Sequence, residues 1–267
     1  MVSHGEAEHA RRALIAGDNG NAITSAHAGL LWRTRRRRSR SRLGQPGPPL
    51  PWWPCTVFTH QHADHLADLI GLAYARRFPD PTPKIPLFAL PATLATAGAL
   101  DDLFAVPTLP AMGNTIALSF ELTTLPMEGH SADLGIDLSL LSLTGFAVRH
   151  AVPSAALRFC SPRGVAVFSS DTGPCDGLLA AADRANLFIC EATWLHAPPE
   201  DIESHGHMTP ELAAIVAAEA QVRALVLAHL SRASDAPAAK DLAGRYFGPG
   251  LVGTAAPGAV LLAGDSS

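Results

Sequence analysis

Residues 59–65 read Thr-His-Gln-His-Ala-Asp-His and place three imidazoles and one carboxylate within six consecutive positions. Packing alone does not explain such a cluster, because imidazole and carboxylate groups are costly to bury without partners. A mixed set of nitrogen and oxygen ligands suits zinc and similar first-row metals. The cluster therefore predicts a metal site, and a solvated, histidine-rich loop is the alternative.

The segments on either side of this cluster predict how it is held. Residues 55–59 have the apolar character of a short buried strand, and residues 66–72 read as the first turns of a helix. A strand-to-helix loop would then hold the first two histidines on one side, with Asp64 and His65 facing a second point.

Residues of the types that bind metals also stand at the ends of several later strand-like runs. His150 follows Phe-Ala-Val-Arg, Asp171 ends the run 165–171, and His229 ends the run 222–228. Taken singly, each histidine also fits a hydrogen-bonded surface position, and the aspartate also fits a turn or helix cap. Strand ends in an α/β protein converge on one rim, so these residues can meet the 59–65 cluster in space.

From residue 55 onward, strand-like and helix-like runs alternate, which is typical of an α/β protein. The strand-like runs lie at 56–59, 86–89, 116–123, 136–143, 146–150, 156–160, 164–170, 187–190 and 223–228. The helix-like runs lie at 66–77, 91–105, 175–185 and 210–221. The last helix has a legible start, because Thr209 can cap it and Pro210 suits its first position.

Composition bounds the class of protein. The chain has 267 residues, of which 48% are hydrophobic and 16% charged, so it can bury one large core or two modest ones. No apolar run approaches the roughly 18 residues of a membrane helix, and the N-terminus is too polar for a secretory signal. The four cysteines lack CxxC spacing and indicate reduced thiols in a cytoplasmic protein.

Residues 1–54 differ from the rest and predict a divergent segment ahead of a single domain at 55–267. Seven of the 20 basic residues are arginines within 33–42, and the remaining 13 face 24 acidic residues. The body of the protein therefore offers no broad basic face for nucleic acid. The arginine run is either a basic arm that binds RNA through its charge or a divergent stretch that only mimics one. Its lack of hydrophobic periodicity favours the second.

Six segments carry a resemblance to a known family. In chain order they are Thr59-His-Gln-His-Ala-Asp-His65, Arg149-His-Ala-Val-Pro153, Ser169-Ser-Asp-Thr-Gly173, Cys190-Glu-Ala-Thr-Trp194, Gly206-His-Met-Thr-Pro-Glu211 and Ala228-His-Leu230. This pattern resembles the metallo-β-lactamase superfamily and, within it, the ribonuclease Z-like phosphodiesterase branch. The resemblance implies an αββα sandwich, in which two mixed β-sheets lie face to face with helices outside.

The same resemblance implies two zinc ions per chain, with manganese or iron as alternatives. His60, His62 and His150 would hold one metal, Asp64, His65 and His229 the other, and Asp171 would bridge them together with a shared water or hydroxide. Two metals about 3.5–4 Å apart clamp the attacking and leaving oxygens of a phosphodiester. Zinc also lowers the pKa of its bound water to about 7.

Three residues would act on protons in the implied reaction. Asp64 would orient and deprotonate the water, and His207 would stabilise the developing charge or protonate the leaving oxygen. Glu191 would pair with His207 and hold its tautomer and pKa. A surface carboxylate at a strand end is the alternative for Glu191, and a loop histidine before a helix is the alternative for His207.

The spacing of two implied ligands narrows the range of substrates that the site could accept. His150 and Asp171 are 21 positions apart, which leaves no room for the tRNA-clamping insertion that ribonuclease Z carries between these ligands. This favours a small or nucleotide phosphodiester over tRNA 3′-end processing. Hydrolysis of a lactone or sulfate ester at the same site is one alternative, and a non-catalytic or RNA-binding protein is the other. Dimers are common in the resembling family, so a homodimer stays open.

Overall fold

The computed structural model describes residues 55–134, 141–196, 206–248 and 251–255. These residues fall into two compact units, and the chain passes from one to the other between Thr124 and Leu125. The predicted divergent segment 1–54 lies outside the described residues, and so does most of the strand predicted at 136–143. No helix among the described residues is long and apolar enough to cross a membrane.

The first unit contains a three-stranded parallel sheet in the order β1-β2-β3. Its elements are β1 Thr56–Phe58, α1 Ala63–Leu66, α2 Asp68–Arg77, β2 Ile85–Ala89, α3 Pro91–Leu103, α4 Thr115–Ser119 and β3 Phe120–Thr124. Helices connect each strand to the next, as parallel pairing requires. Apolar side chains from both strands and helices, including Leu69, Leu87 and Phe120, form the core of this unit.

Helix α4 lies where the sequence predicts the beginning of a strand over 116–123, and that part of the prediction is wrong. The physical cause is the buried carboxylate of Asp101 in α3, which accepts hydrogen bonds from the backbone nitrogens of Ile116 at 2.7 Å and Ala117 at 2.8 Å. These bonds satisfy two amides that a helix start leaves without partners, and a carboxylate also suits the positive end of a helix. A contact made across 15 positions therefore overrides local strand preference.

The second unit contains a seven-stranded mixed sheet in the order β10-β9-β8-β7-β6-β5-β4. Its elements are β4 Ala132–Asp133, β5 Ser142–Val148, β6 Ser154–Ser161, β7 Gly164–Phe168, α5 Asp176–Ala182, β8 Leu187–Glu191, α6 Pro210–Glu219, β9 Leu225–Ala228, α7 Ala236–Phe247 and β10 Val252–Thr254. Neighbours from β4 to β7 pair antiparallel, and those from β7 to β10 pair parallel. The prediction of an α/β architecture with two sheets and helices is confirmed.

The helix cap and the last two elements of this unit can be compared with the predicted runs. The predicted cap of α6 is present, because the Thr209 hydroxyl accepts a hydrogen bond from the Leu212 nitrogen at 3.3 Å and Pro210 follows it. Helix α7 and strand β10 had no counterpart among the predicted runs. Strand β10 is only three residues long and gains its conformation from pairing with β9, which local sequence cannot show.

All four cysteines are free thiols, as the sequence predicts. Burial raises the pKa of the Cys55 thiol to about 11. Burial, with a contribution from the neighbouring Glu191, also raises the pKa of Cys190. Both thiols therefore stay protonated near neutral pH and behave as small apolar side chains.

Removing the helix cap that Asp101 provides should lower the free energy of unfolding by a measurable amount. Asp101→Ala leaves two helix-start amides without their acceptor, and we expect it to lower the free energy of unfolding by about 1–3 kcal/mol. Asp102→Ala, at the exposed neighbouring position, is the matched control and should change it little. Urea unfolding of both variants makes the comparison, and equal losses would contradict the capping role.

Candidate metal centre

The 59–65 cluster of the first unit, whose histidines and aspartate follow the pattern HxHxDH, begins just after β1 and ends within α1. The backbone nitrogens of His65 and Leu66 donate to the His62 carbonyl at 3.0 and 2.9 Å. Helix α1 therefore begins at Ala63, three residues earlier than predicted. Asp64 thus lies in the first helical turn rather than in a loop, and the tight turn brings its neighbours close together.

The three imidazoles of this cluster pack around His60. The ring centroids of His60 and His62 are 4.9 Å apart, and those of His60 and His65 are 4.1 Å apart. His60 and His65 are buried, whereas the Asp64 side chain is 46% exposed. Imidazole rings packed in this way are also the commonest metal ligands in proteins.

In the second unit, four predicted site residues lie at the carboxyl ends of strands, and a fifth lies ahead of a helix. They are His150 after β5, Asp171 after β7, Glu191 at the end of β8, His207 ahead of α6 and His229 after β9. Ligand atoms of His150, Asp171 and His207 lie within 4.8 Å of one another, and so do those of Glu191, His207 and His229. The structure therefore brings these predicted site residues close together within this unit.

Nδ1 of each histidine in this group faces a protein oxygen. His150 Nδ1 lies 2.9 Å from the Gly206 carbonyl, which can only accept, so the ring donates Nδ1–H to it. His207 Nδ1 lies 2.9 Å from Glu191 Oε1, and His229 Nδ1 lies 2.7 Å from the Thr193 hydroxyl. Metal-binding histidines usually donate their second ring N–H in this way, which directs Nε2 toward the metal. The donor set therefore fits a divalent cation.

Glu191 is almost completely buried and accepts hydrogen bonds on both carboxylate oxygens. Oε1 receives the Thr172 nitrogen at 2.7 Å and the His207 ring. Oε2 receives the Thr193 nitrogen at 3.2 Å, the Thr193 hydroxyl at 2.6 Å and the Met208 nitrogen at 3.2 Å. This burial and these hydrogen bonds exclude the alternative that Glu191 is an exposed surface residue.

Two residues at or beside the candidate ligands, Ser170 and His229, have unusual backbone conformations. Ser170 has φ +61° and His229 has φ +53°, values that non-glycine residues seldom adopt. The Ser154 hydroxyl lies 2.8 Å from the Ser170 hydroxyl and donates to the Asp171 carbonyl at 3.2 Å. The Asp171 carboxylate then lies 3.4 Å from His229 Nε2. Strained residues of this kind cluster at functional sites.

Position 206 requires glycine because its backbone lies very close to His150. Its φ is +63°, and a Cβ atom at this position would lie 2.8 Å from His150 Cα. Gly206 lies in the motif 206–211, but that motif does not predict its contact with His150. Thr193 lies in the motif 190–194, which likewise does not predict that its hydroxyl is shared among several site residues. Neither role has a local sequence signal, because both depend on segments distant in the chain.

Of the other histidines, His130 and His196 are exposed, and His205 lies outside the described residues. The predicted sharing of metals between the HxHxDH cluster and the second unit stays a prediction.

Residues 21–230 match the family model described as the beta-lactamase superfamily domain. The chain belongs to the beta-lactamase superfamily.

Curated relatives match a shorter part of this chain. An uncharacterised protein of Mycobacterium leprae is 42% identical over 84 residues, which are 31% of this chain and 29% of that protein. Ribonuclease Z of Thermobifida fusca is 40% identical over 85 residues, 32% of this chain and 27% of that protein. The match thus spans less than a third of these relatives.

Solved structures of the superfamily resemble the chain over most of its length. The metallo-β-lactamase fold protein YhfI of Bacillus subtilis has a TM-score of 0.62, 20% identity and coverage of 79% of both chains. The short form of human tRNase Z has a TM-score of 0.59 and 20% identity, covering 80% of this chain and 81% of that one. Zn²⁺-bound PqqB of Methylobacterium extorquens has a TM-score of 0.57 and 16% identity, with coverage of 82% and 75%. The predicted metallo-β-lactamase fold is confirmed, and its ribonuclease Z-like branch supplies relatives in sequence and in structure.

Proposed function

We propose that this superfamily hydrolase is a metal-dependent phosphodiesterase. The observation that carries the proposal is the group of Asp171, Glu191, His207 and His229 at the strand ends of the second unit. It combines oxygen and nitrogen ligands with a buried carboxylate–imidazole pair. A purely structural cluster would not need both kinds of group in one place.

We assign the metal ligands as the resemblance implies, with two zinc ions per chain and manganese or iron as alternatives. One metal is assigned to His60, His62 and His150, the other to Asp64, His65 and His229, with Asp171 as the bridge. The Nδ1 contacts of His150 and His229 support these assignments, as does the similarity to Zn²⁺-bound PqqB. When bound, such metals would supply an activated water at neutral pH and charge neutralisation at the phosphoryl oxygens.

The protein side chains would then handle protons on the two sides of the phosphorus atom. Asp64 has a partly exposed carboxylate beside His65, with Asp64 Oδ2 and His65 Nε2 3.5 Å apart, and can take the proton of the attacking water. On the leaving side, Glu191 Oε1 lies 2.9 Å from His207 Nδ1 and orients the ring. His207 can then donate from Nε2 to the departing oxygen, after which the Glu191 contact keeps the neutral ring in place.

The connection between His150 and Asp171 supports a small or nucleotide substrate. Strands β6 and β7 with a two-residue turn at 162–163 occupy most of this stretch. No arm that could clamp a tRNA is therefore inserted there. Similarity to ribonuclease Z and tRNase Z favours a phosphodiester as the bond to be cleaved.

Hydrolysis of bis(p-nitrophenyl) phosphate by zinc- or manganese-loaded protein tests this proposal. We expect turnover by the wild-type protein and at least about a 100-fold loss in His62→Ala, since even partners of metal ligands are worth 10- to 100-fold. His130→Ala, which removes an exposed histidine, should retain full activity. A lactone and an aryl sulfate ester are tested in parallel. Turnover of either one without turnover of the diester would overturn the phosphodiesterase assignment.

The proton-donating role of His207 predicts a dependence on the leaving group. His207→Ala should reduce kcat/KM by about 10²- to 10⁴-fold for a diester with an alkoxide leaving group. The loss should be much smaller for p-nitrophenolate, because that group departs without a proton. His196→Ala, which removes an exposed histidine, is the matched control.

His207 also lies close enough to Asp171 and His150 to serve as a metal ligand. Measuring the metal content of the His207→Ala variant therefore distinguishes proton donation from metal binding. We expect His207→Ala to keep its metal. A loss of activity that is equal for both leaving groups and accompanied by metal loss would show that His207 is a ligand rather than an acid.

A further inference from the structure

The Thr193 hydroxyl lies at the centre of the polar group in the second unit. Its oxygen is 2.6 Å from Glu191 Oε2, 2.7 Å from His229 Nδ1 and 3.3 Å from His207 Nδ1. It therefore contacts the carboxylate–imidazole pair and a candidate metal ligand at the same time.

The protons in this arrangement can be assigned from donor and acceptor chemistry. A hydroxyl has one proton to donate and two lone pairs, and an ionised carboxylate can only accept. Thr193 therefore donates to Glu191, so the short contact with His229 requires the ring to donate Nδ1–H to the hydroxyl. In the neutral ring, Nε2 then carries a lone pair and faces Asp171 Oδ2 at 3.4 Å. Two lone-pair atoms facing each other at this distance are arranged to share a cation.

The backbone around Thr193 fixes the hydroxyl in place. The Thr193 nitrogen donates to Glu191 Oε2, and the Thr193 carbonyl accepts from the Ser231 hydroxyl at 2.7 Å and the Ser231 nitrogen at 3.3 Å. The next residue, Trp194, donates its backbone nitrogen to the Met208 carbonyl at 3.2 Å. The segment following β8 is thus tied to the loop that carries His229 and to the segment that carries His207.

We propose that Thr193 is a positioning residue that selects the Nδ1–H tautomer of His229 and leaves Nε2 for the metal. Through the same hydroxyl it links this ligand to the Glu191–His207 pair. This inference rests on the proposed function only in taking His229 as a metal ligand. It assigns a role to a residue that touches neither substrate nor metal.

The test compares Thr193→Val, which keeps the branched shape without the hydroxyl, with Thr193→Ser, which keeps the hydroxyl. Zinc affinity is measured by competition with a chromogenic chelator. We expect a 10- to 100-fold loss in the valine variant, the usual cost of removing a partner of a metal ligand, and near wild-type affinity in the serine variant. Equal affinities in all three proteins would overturn the proposal.

The ring nitrogens of His229 provide a second readout that does not depend on any substitution. In zinc-loaded wild-type protein labelled with ¹⁵N, two-dimensional NMR should show a proton on His229 Nδ1 and none on Nε2. A ring bound through Nδ1, or protonated at Nε2, would overturn the proposal even if Thr193→Val does not fold.

Neither readout uses a substrate, so the two proposals can fail separately. Thr193-dependent zinc binding without diester hydrolysis would refute the phosphodiesterase and leave the role of Thr193 intact. Diester hydrolysis with unchanged zinc affinity in Thr193→Val would refute the role of Thr193 alone.

Discussion

The buried carboxylate of Glu191 is the constraint on which the second unit's site depends. A carboxyl group with 1% exposure would be strongly destabilising without partners. Its partners come from three separate segments, through the backbone nitrogens of Thr172, Thr193 and Met208. Satisfying one charge therefore fixes the segments after β7, after β8 and ahead of α6. These are the segments that carry Asp171 and His207.

A common pattern of ring orientation follows from these fixed segments. The Nδ1 atoms of His150, His207 and His229 face a carbonyl, a carboxylate and a hydroxyl, respectively. Each partner is itself held by the backbone or by further hydrogen bonds, so the rings cannot turn freely. Under the proposed function, this preorganisation would let Nε2 atoms act as ligands or as a proton donor without a cost of reorganisation at each turnover. The left-handed backbone at Ser170 and His229 is the strain that the arrangement tolerates.

Sequence reasoning succeeded where the signal is local or chemically unusual. Buried strands such as β2 and β8 read as continuous apolar runs, and the cap at Thr209 follows from a residue and its immediate neighbours. Histidines and carboxylates at strand ends are informative only because several of them occur together with the 59–65 cluster. The family resemblance then supplied the grouping of ligands, which composition and spacing alone leave open.

The errors and omissions share a different cause, which is contact between distant segments. Helix α4 replaces a predicted strand because Asp101 caps it from another helix, and β10 exists only beside β9. The role of Thr193 depends on His229, 36 positions away. The early start of α1 is the exception, since the His62 carbonyl forms a helical turn within the motif itself.

The central claim is that these residues form a centre for divalent metals, and metal stoichiometry tests it most directly. Purified protein is titrated with zinc, dialysed and assayed by elemental analysis, alongside Asp171→Ala. We expect two tightly bound ions per chain in the wild-type protein and loss of at least one in the variant, since Asp171 is the assigned bridge. A folded wild-type protein that retains no zinc, manganese or iron would contradict the account.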